Sequence, residues 1–183
     1  MSRIRRNRVA GLLPILALAL VLILLSGALV SAGGPVVHRV TVGSPDLCPA
    51  FDLRPGCDKN LSLTAIQDAD GSVKGQYTDR WGDVVSSGAI GFHAVITCVS
   101  VVGNEAWISG VITQGRTGPG GVYDLAGLRV GIRVRDNGTS ANDPADQTSW
   151  SYLDAPGNPP FQPCTEHPDY PLVDLVQGQV VVK

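Results

Sequence analysis

Four oxygen-bearing side chains stand close together in the stretch VRDNGTSANDPADQTSW, Val134 to Trp150: Asp136, Asn137, Asp143 and Asp146. Calcium takes six to eight oxygen ligands, and loops that cluster Asp and Asn supply them. These four are therefore the candidate calcium ligands of the chain, with Gly138 placed to allow a sharp turn. The spacing does not fit an EF-hand. Counted from Asp136, positions 3 and 5 are Gly138 and Ser140, and position 12, which needs a glutamate, is Gln147. The glycine–aspartate repeat of calcium-binding β-helices is also absent. Asp-Asn-Gly and Asn-Asp-Pro form turns on their own account, because their side chains bond nearby backbone. The expectation is a polar connection, with a calcium loop as the minority reading and no other cofactor indicated.

A second constellation lies just upstream. In LRVGIRVRD, Arg129, Arg133 and Arg135 alternate with Leu128, Val130, Ile132 and Val134, with Gly131 between the arginines. Guanidinium forks suit carboxylates and phosphates, so the row is a candidate ligand-binding face for an anion. The competing use is cross-strand pairing with acids, and the chain has 16 acidic side chains to offer. The expectation leans to pairing.

Catalytic machinery is harder to assemble. The histidines are His38, His93 and His167, and no G-x-S-x-G elbow is present. His93 reads as a packed or half-exposed sheet residue sharing a face with Val95 and Thr97. His167, beside Glu166 and Asp169, is the one place where a metal or acid–base role is worth considering. A glycosidase needs two acids facing each other across a cleft, which spacing alone does not reveal. Trp81, Trp107 and Trp150 read as core or sheet-surface residues, and no aromatic sugar platform is evident. No catalytic residue is assigned.

The elements that must position these residues are strands. VVHRVTV (36–42) is short and β-branched. Residues 61–81 form two strand-like runs around Asp70-Gly71, and 91–113 two more around Gly103-Asn104, both two-residue hairpin signals. The alternation of 128–136 is that of a half-buried antiparallel strand. TSWSYL (148–153) is a short partner, and LVQGQVVV (175–182) a closing strand. Residues 114–127 are a glycine-rich connection, and the proline-rich 155–171 excludes regular structure. Consecutive hairpins without an amphipathic helix indicate a single all-β domain, an antiparallel β-sandwich or a meander β-barrel.

The amino terminus differs in kind. MSRIRRNR holds four of the 14 basic residues, Leu12–Leu25 is an unbroken apolar run, and small residues follow up to Ala32. That order predicts a signal peptide over 1–32. An uncleaved anchor is the alternative, and it would tether the rest outside the membrane. Domain organisation is then 33–60 as an N-terminal strand and disulfide loop and 61–183 as the all-β domain. Beyond residue 32 the chain keeps all 16 acidic and 10 of the 14 basic side chains, a balance of −6. That argues against nucleic acid as a partner, and leaves the membrane only the N-terminal segment.

Cys48, Cys57, Cys98 and Cys164 all lie in the exported part, and an even count there reads as two disulfides. Three pairings exist. The favoured one is Cys48–Cys57, bracketing a Pro/Gly loop, with Cys98–Cys164 tying a strand to the proline-rich segment. No Cys-x2-Cys pair is present, which argues against zinc.

The segments CVSVVGNEAWISGVIT and RVRDNGTSANDPADQ, a late cysteine and a terminal GQVVV together resemble a group of small uncharacterised secreted bacterial all-β proteins. Those carry a Cys-bearing strand, an N-x-A-x-x-S-G hairpin, a V-x-D-N-G loop and a glycine-containing closing strand. The resemblance covers roughly residues 61 to 182. It implies an exported all-β domain, adds weight to Cys98–Cys164 and implies no mechanism. The functional expectation is a secreted non-enzymatic domain, binding or structural, with an unknown extracellular ligand or surface as partner. The alternative is an extracellular hydrolase with an acid-based site.

Overall fold

The computed structural model describes residues 35–44, 58–82, 90–118, 121–140 and 142–183. The expected signal peptide, Cys48 and Cys57 lie outside the described residues. Among the described residues eleven strands make one antiparallel sheet: β1 (Val36–Ser44), β2 (Asp58–Asp68), β3 (Val73–Gly82), β4 (Ile90–Val102), β5 (Glu105–Thr117), β6 (Tyr123–Asp124), β7 (Arg129–Arg135), β8 (Gln147–Ser149), β9 (Tyr152–Leu153), β10 (Leu172–Asp174) and β11 (Gln179–Val182). The order across the sheet is β10-β8-β7-β5-β4-β3-β2-β1-β11, with β6 beside β5 and β9 beside β7. The sheet curls into a half-barrel, an all-β fold. Sequence left sandwich and barrel open; here a single continuous sheet curls around one core.

The predicted hairpins appear where the turn dipeptides place them, β2–β3 around Asp70-Gly71 and β4–β5 around Gly103-Asn104. β1 was set apart from 61–183 on sequence, yet it pairs with β2 on one side and β11 on the other. It belongs to the same sheet. Alternation decides which face is buried. Val40 and Val42, Leu61 and Leu63, Tyr77, Ala94 and Ile96, Ile108 and Ile112, and Val130, Ile132 and Val134 point into the concave core. Burial of such side chains is worth roughly 1.5–3 kcal/mol each and drives the curl.

Two late elements depart from expectation. TSWSYL divides into β8 and β9, both paired with β7; at the break the Arg133 N–H donates to the Ser149 hydroxyl at 2.9 Å, and Ser151 turns its hydroxyl onto buried Asp79. The closing strand begins only at Gln179, and Leu172–Asp174 forms β10 against β8. The chain therefore crosses from one end of the sheet path to the other within 175–178, with Leu175 buried in the core.

Candidate functional site

The acidic stretch between β7 and β8 lies at this seam. β11 uses one edge for β1, and the N–H groups of Val180 and Val182 point to the other. Among the described residues no strand covers them. Instead Asp146 Oδ2 accepts from Val180 N–H at 2.7 Å, and Asp136 Oδ2 accepts from Val182 N–H at 3.0 Å. The remaining oxygens hold the loop itself. Asp146 Oδ1 accepts from Asn137 N–H at 2.7 Å, and Asp136 Oδ1 from Gly138 N–H at 3.0 Å. Asp143 accepts from Ser140 N–H at 2.8 Å, and Asn137 Nδ2 donates to Ala145 O at 2.6 Å. Gly138 adopts φ 112°, a conformation other residues rarely take. Buried backbone donors need acceptors, and here carboxylates stand in for a missing strand. Of the four candidate calcium ligands, Asp136, Asn137 and Asp146 thus gather at the seam facing backbone. Asp143 folds back on its own turn. Among the described residues no group of three or more His, Cys, Asp or Glu side chains is arranged to hold a metal.

The arginine row projects outward from β7, and each member has partners. Glu105, the cross-strand neighbour of Arg135, receives Arg135 Nη2 at 2.6 Å and Arg133 Nη2 at 2.7 Å. Burial alone would raise the Glu105 carboxyl, but hydrogen bonds from Arg135 and Arg133 outweigh it and hold the group below the ordinary glutamate range. Arg133 also reaches Asp169 at 2.8 Å and lies over the Trp107 ring. Arg129 pairs with Asp154 at 2.7 Å and lies 4.5 Å over the Phe161 ring. Arg129 and Arg133 therefore fasten the irregular segment 154–171 onto the sheet by ion pairs and a cation–π contact, while Arg135 joins Glu105 and Gln147. Cys98 and Cys164 add a disulfide with Cα atoms 6.1 Å apart, at a 3-10 turn, Cys164–Glu166. His167 follows in left-handed backbone geometry, its Nε2 2.7 Å from Ser100 Oγ and its ring against Trp107. Trp107 Nε1 donates to Pro168 O at 2.9 Å.

The fastened segment builds a groove of about 510 Å³. Gly131 makes room for it: a Cβ there would meet the Tyr170 hydroxyl at 3.1 Å and the Phe161 ring at 3.4 Å. Tyr170 stacks on Tyr152 with ring centroids 3.8 Å apart and planes within 7° of parallel. These rings, Phe161 and Pro160 form apolar walls, and Ser151, Asn158, Gln162 and Asp169 bring polar atoms among them. Burial, reinforced by Asp169 beside Tyr152 and by the neighbouring ring at Tyr170, raises both phenols above their ordinary value. Ser151 links the groove to the core. Its hydroxyl donates to Asp79, which is fully buried, and lies 2.5 Å from the Tyr77 hydroxyl. Burial and the Asp79 charge push the Tyr77 phenol well up, so it stays protonated and donates to Asp79 at 3.3 Å.

Sequence inspection missed this groove. Tyr152, Phe161 and Tyr170 have no common spacing, and the prolines around them mark only a loop. Gly131, interrupting an arginine row, was the one available signal. His93 sits half-buried on the outer sheet face, its Nδ1 2.9 Å from Thr78 Oγ1. No family model, curated protein or solved structure matches the chain.

Proposed function

We propose that the chain is an exported, non-enzymatic binding domain, and that its ligand is a neutral saccharide held in the groove beside Tyr152, Phe161 and Tyr170. The observation that carries this is the pairing of stacked aromatic rings with amide, hydroxyl and carboxylate groups in one cleft. Aromatic faces cover the apolar faces of sugar rings, and a few placed polar groups take the hydroxyls. Ion pairs, cation–π contacts and a disulfide set the walls in advance, which lowers the ordering cost of binding. The basic-then-apolar amino terminus and the disulfide support export.

The test is a titration of the full chain, held in a sugar-free detergent, with neutral oligosaccharides of several backbone types. Tyrosine fluorescence and aromatic NMR signals report occupancy. Saturation at millimolar ligand, weakened about tenfold by Phe161→Ala, is the expected result. Absence of saturation for every backbone type overturns the saccharide reading. Appearance of shortened products in the same incubations would instead favour the hydrolase, with Asp169 and Ser151 of the groove lining as its starting point.

A further inference from the structure

The outward faces of β3, β4 and β5 line up in cross-strand rows. Thr78, His93 and Gln114 face one another in register, and Arg80, Gly91 and Arg116 form the next row. Gly91 has φ 153°, and a Cβ there would run into the Asp79 carbonyl and come within 2.9 Å of the Arg80 Cα. The middle of that row is therefore bare backbone. The result is a depression of about 560 Å³ with Arg80 and Arg116 on its two banks and Thr78, His93 and Gln114 beside them. Since a single strand separates the arginines, their Cα atoms stand about 9–10 Å apart. Two guanidinium groups can close that span onto one bound group.

The charge balance of this depression is unlike that of the β7 row. Among the described residues, no acidic side chain forms an ion pair with Arg80 or Arg116, although both are exposed. Asp124 faces Arg116 across β5 and β6, but its Oδ1 accepts from Ala126 N–H at 2.9 Å. Asp79, next to Arg80 in sequence, is on the opposite face and fully buried. The chain carries an excess of acids, with 16 against 14 basic side chains, yet among the described residues none is paired with either cation. His93 is oriented by Thr78, and Gln114 brings an amide to the same edge.

We propose that this depression is a binding site for a tetrahedral oxyanion, phosphate or sulfate, either free or as the ester group of a larger molecule. The anion is gripped from both sides by Arg80 and Arg116. Guanidinium forks match such oxygens in geometry and charge, and the side-chain-free floor at Gly91 lets the anion sit between them.

The full chain in nonionic detergent is titrated with inorganic phosphate and with sulfate at constant ionic strength, chloride making up the balance. Arginine Nε–H and His93 ring signals are followed by NMR. Saturation at millimolar anion is expected, with phosphate and sulfate competing. Arg80→Gln or Arg116→Gln alone weakens binding at least about fivefold, and the double variant shows no saturation. Arg39→Gln, an exposed arginine on β1, leaves the affinity unchanged. A strictly linear response, a double variant that still saturates, or an equal loss in Arg39→Gln would each overturn the proposal. Unchanged thermal midpoints in the single variants separate lost binding from lost folding. Glucose 6-phosphate and glucose, as a second arm, distinguish an ester group from the free ion: competition by the first alone extends the site to phosphate esters.

Discussion

Two sets of arginines lie on the outer surface of one sheet and are used in opposite ways. On β7, Arg129, Arg133 and Arg135 meet Asp154, Glu105, Asp169 and Gln147, and two of them also cover aromatic rings. Across β3 and β5, Arg80 and Arg116 flank a bare glycine with no acid paired to either among the described residues. The difference teaches that a row of charges is not a site by virtue of its charge. On β7 the guanidinium groups of Arg129 and Arg133 hold down a segment that makes no regular hydrogen-bond ladder of its own. On β3 and β5, among the described residues, no ion pair or cation–π contact ties such a segment to Arg80 or Arg116.

The comparison breaks first, if it breaks, at what holds the β7 region together. Replacing Cys98 and Cys164 by alanine opens a loop with a sequence separation of 66. It is expected to cost about 4 kcal/mol in chemical denaturation, and to lower saccharide affinity because Tyr170 and Phe161 lose their anchor. A result near zero would mean that the arginines alone suffice. Asp146→Ala removes the acceptor of two backbone N–H groups, those of Asn137 and Val180. The expected loss is about 2–4 kcal/mol, with faster amide exchange at Val180 and Val182. If calcium also binds this loop, added calcium raises the parent's melting midpoint and EDTA lowers it.

Glu105→Gln comes next, at about 1–2 kcal/mol, because Arg133 and Arg135 lose their shared acceptor while keeping partial solvent contact. It carries a pH signature. The Glu105 carboxyl lies below its ordinary value of 4.5 in the folded chain, so its stabilisation is complete above that value. It is lost as the pH falls through the folded-state pKa. Denaturation midpoints of parent and variant are therefore expected to converge on the acid side. Constant separation down to pH 2 would remove Glu105 from the account. The smallest effect belongs to the other arginines. Arg80→Gln and Arg116→Gln are expected to shift stability by no more than about 0.5 kcal/mol, as substitutions of exposed side chains with no ion pair among the described residues do. A larger loss would show that they too are structural.

The hairpins were legible because each is a local decision. Turn dipeptides at Asp70-Gly71 and Gly103-Asn104, flanked by β-branched runs, specify adjacent antiparallel strands without help from the rest of the chain. β10 was not legible, since three residues after a proline acquire strand structure only by lying beside β8. The division of β8 from β9 goes with Ser151 reaching Asp79, a contact across 72 positions. The aromatic groove is of the same kind. Its rings come from β9 and from two points of a proline-rich segment, and only packing on Gly131 makes them neighbours.

By itself, then, the sequence determined the all-β class, the inward set of β7 and the two hairpins β2–β3 and β4–β5, because alternation and turn chemistry act within a few residues. It also marked Asp136 and Asp146 as acids with work to do, without saying which. That they close the free edge of β11 was decided in the tertiary structure, where curling brings Val180 and Val182 to the loop and leaves two N–H groups in need of acceptors. The same holds for the arginines. Residue type gave all of them one chemistry, and only the neighbours supplied by the fold divided them into fasteners on β7 and an open pair on β3 and β5.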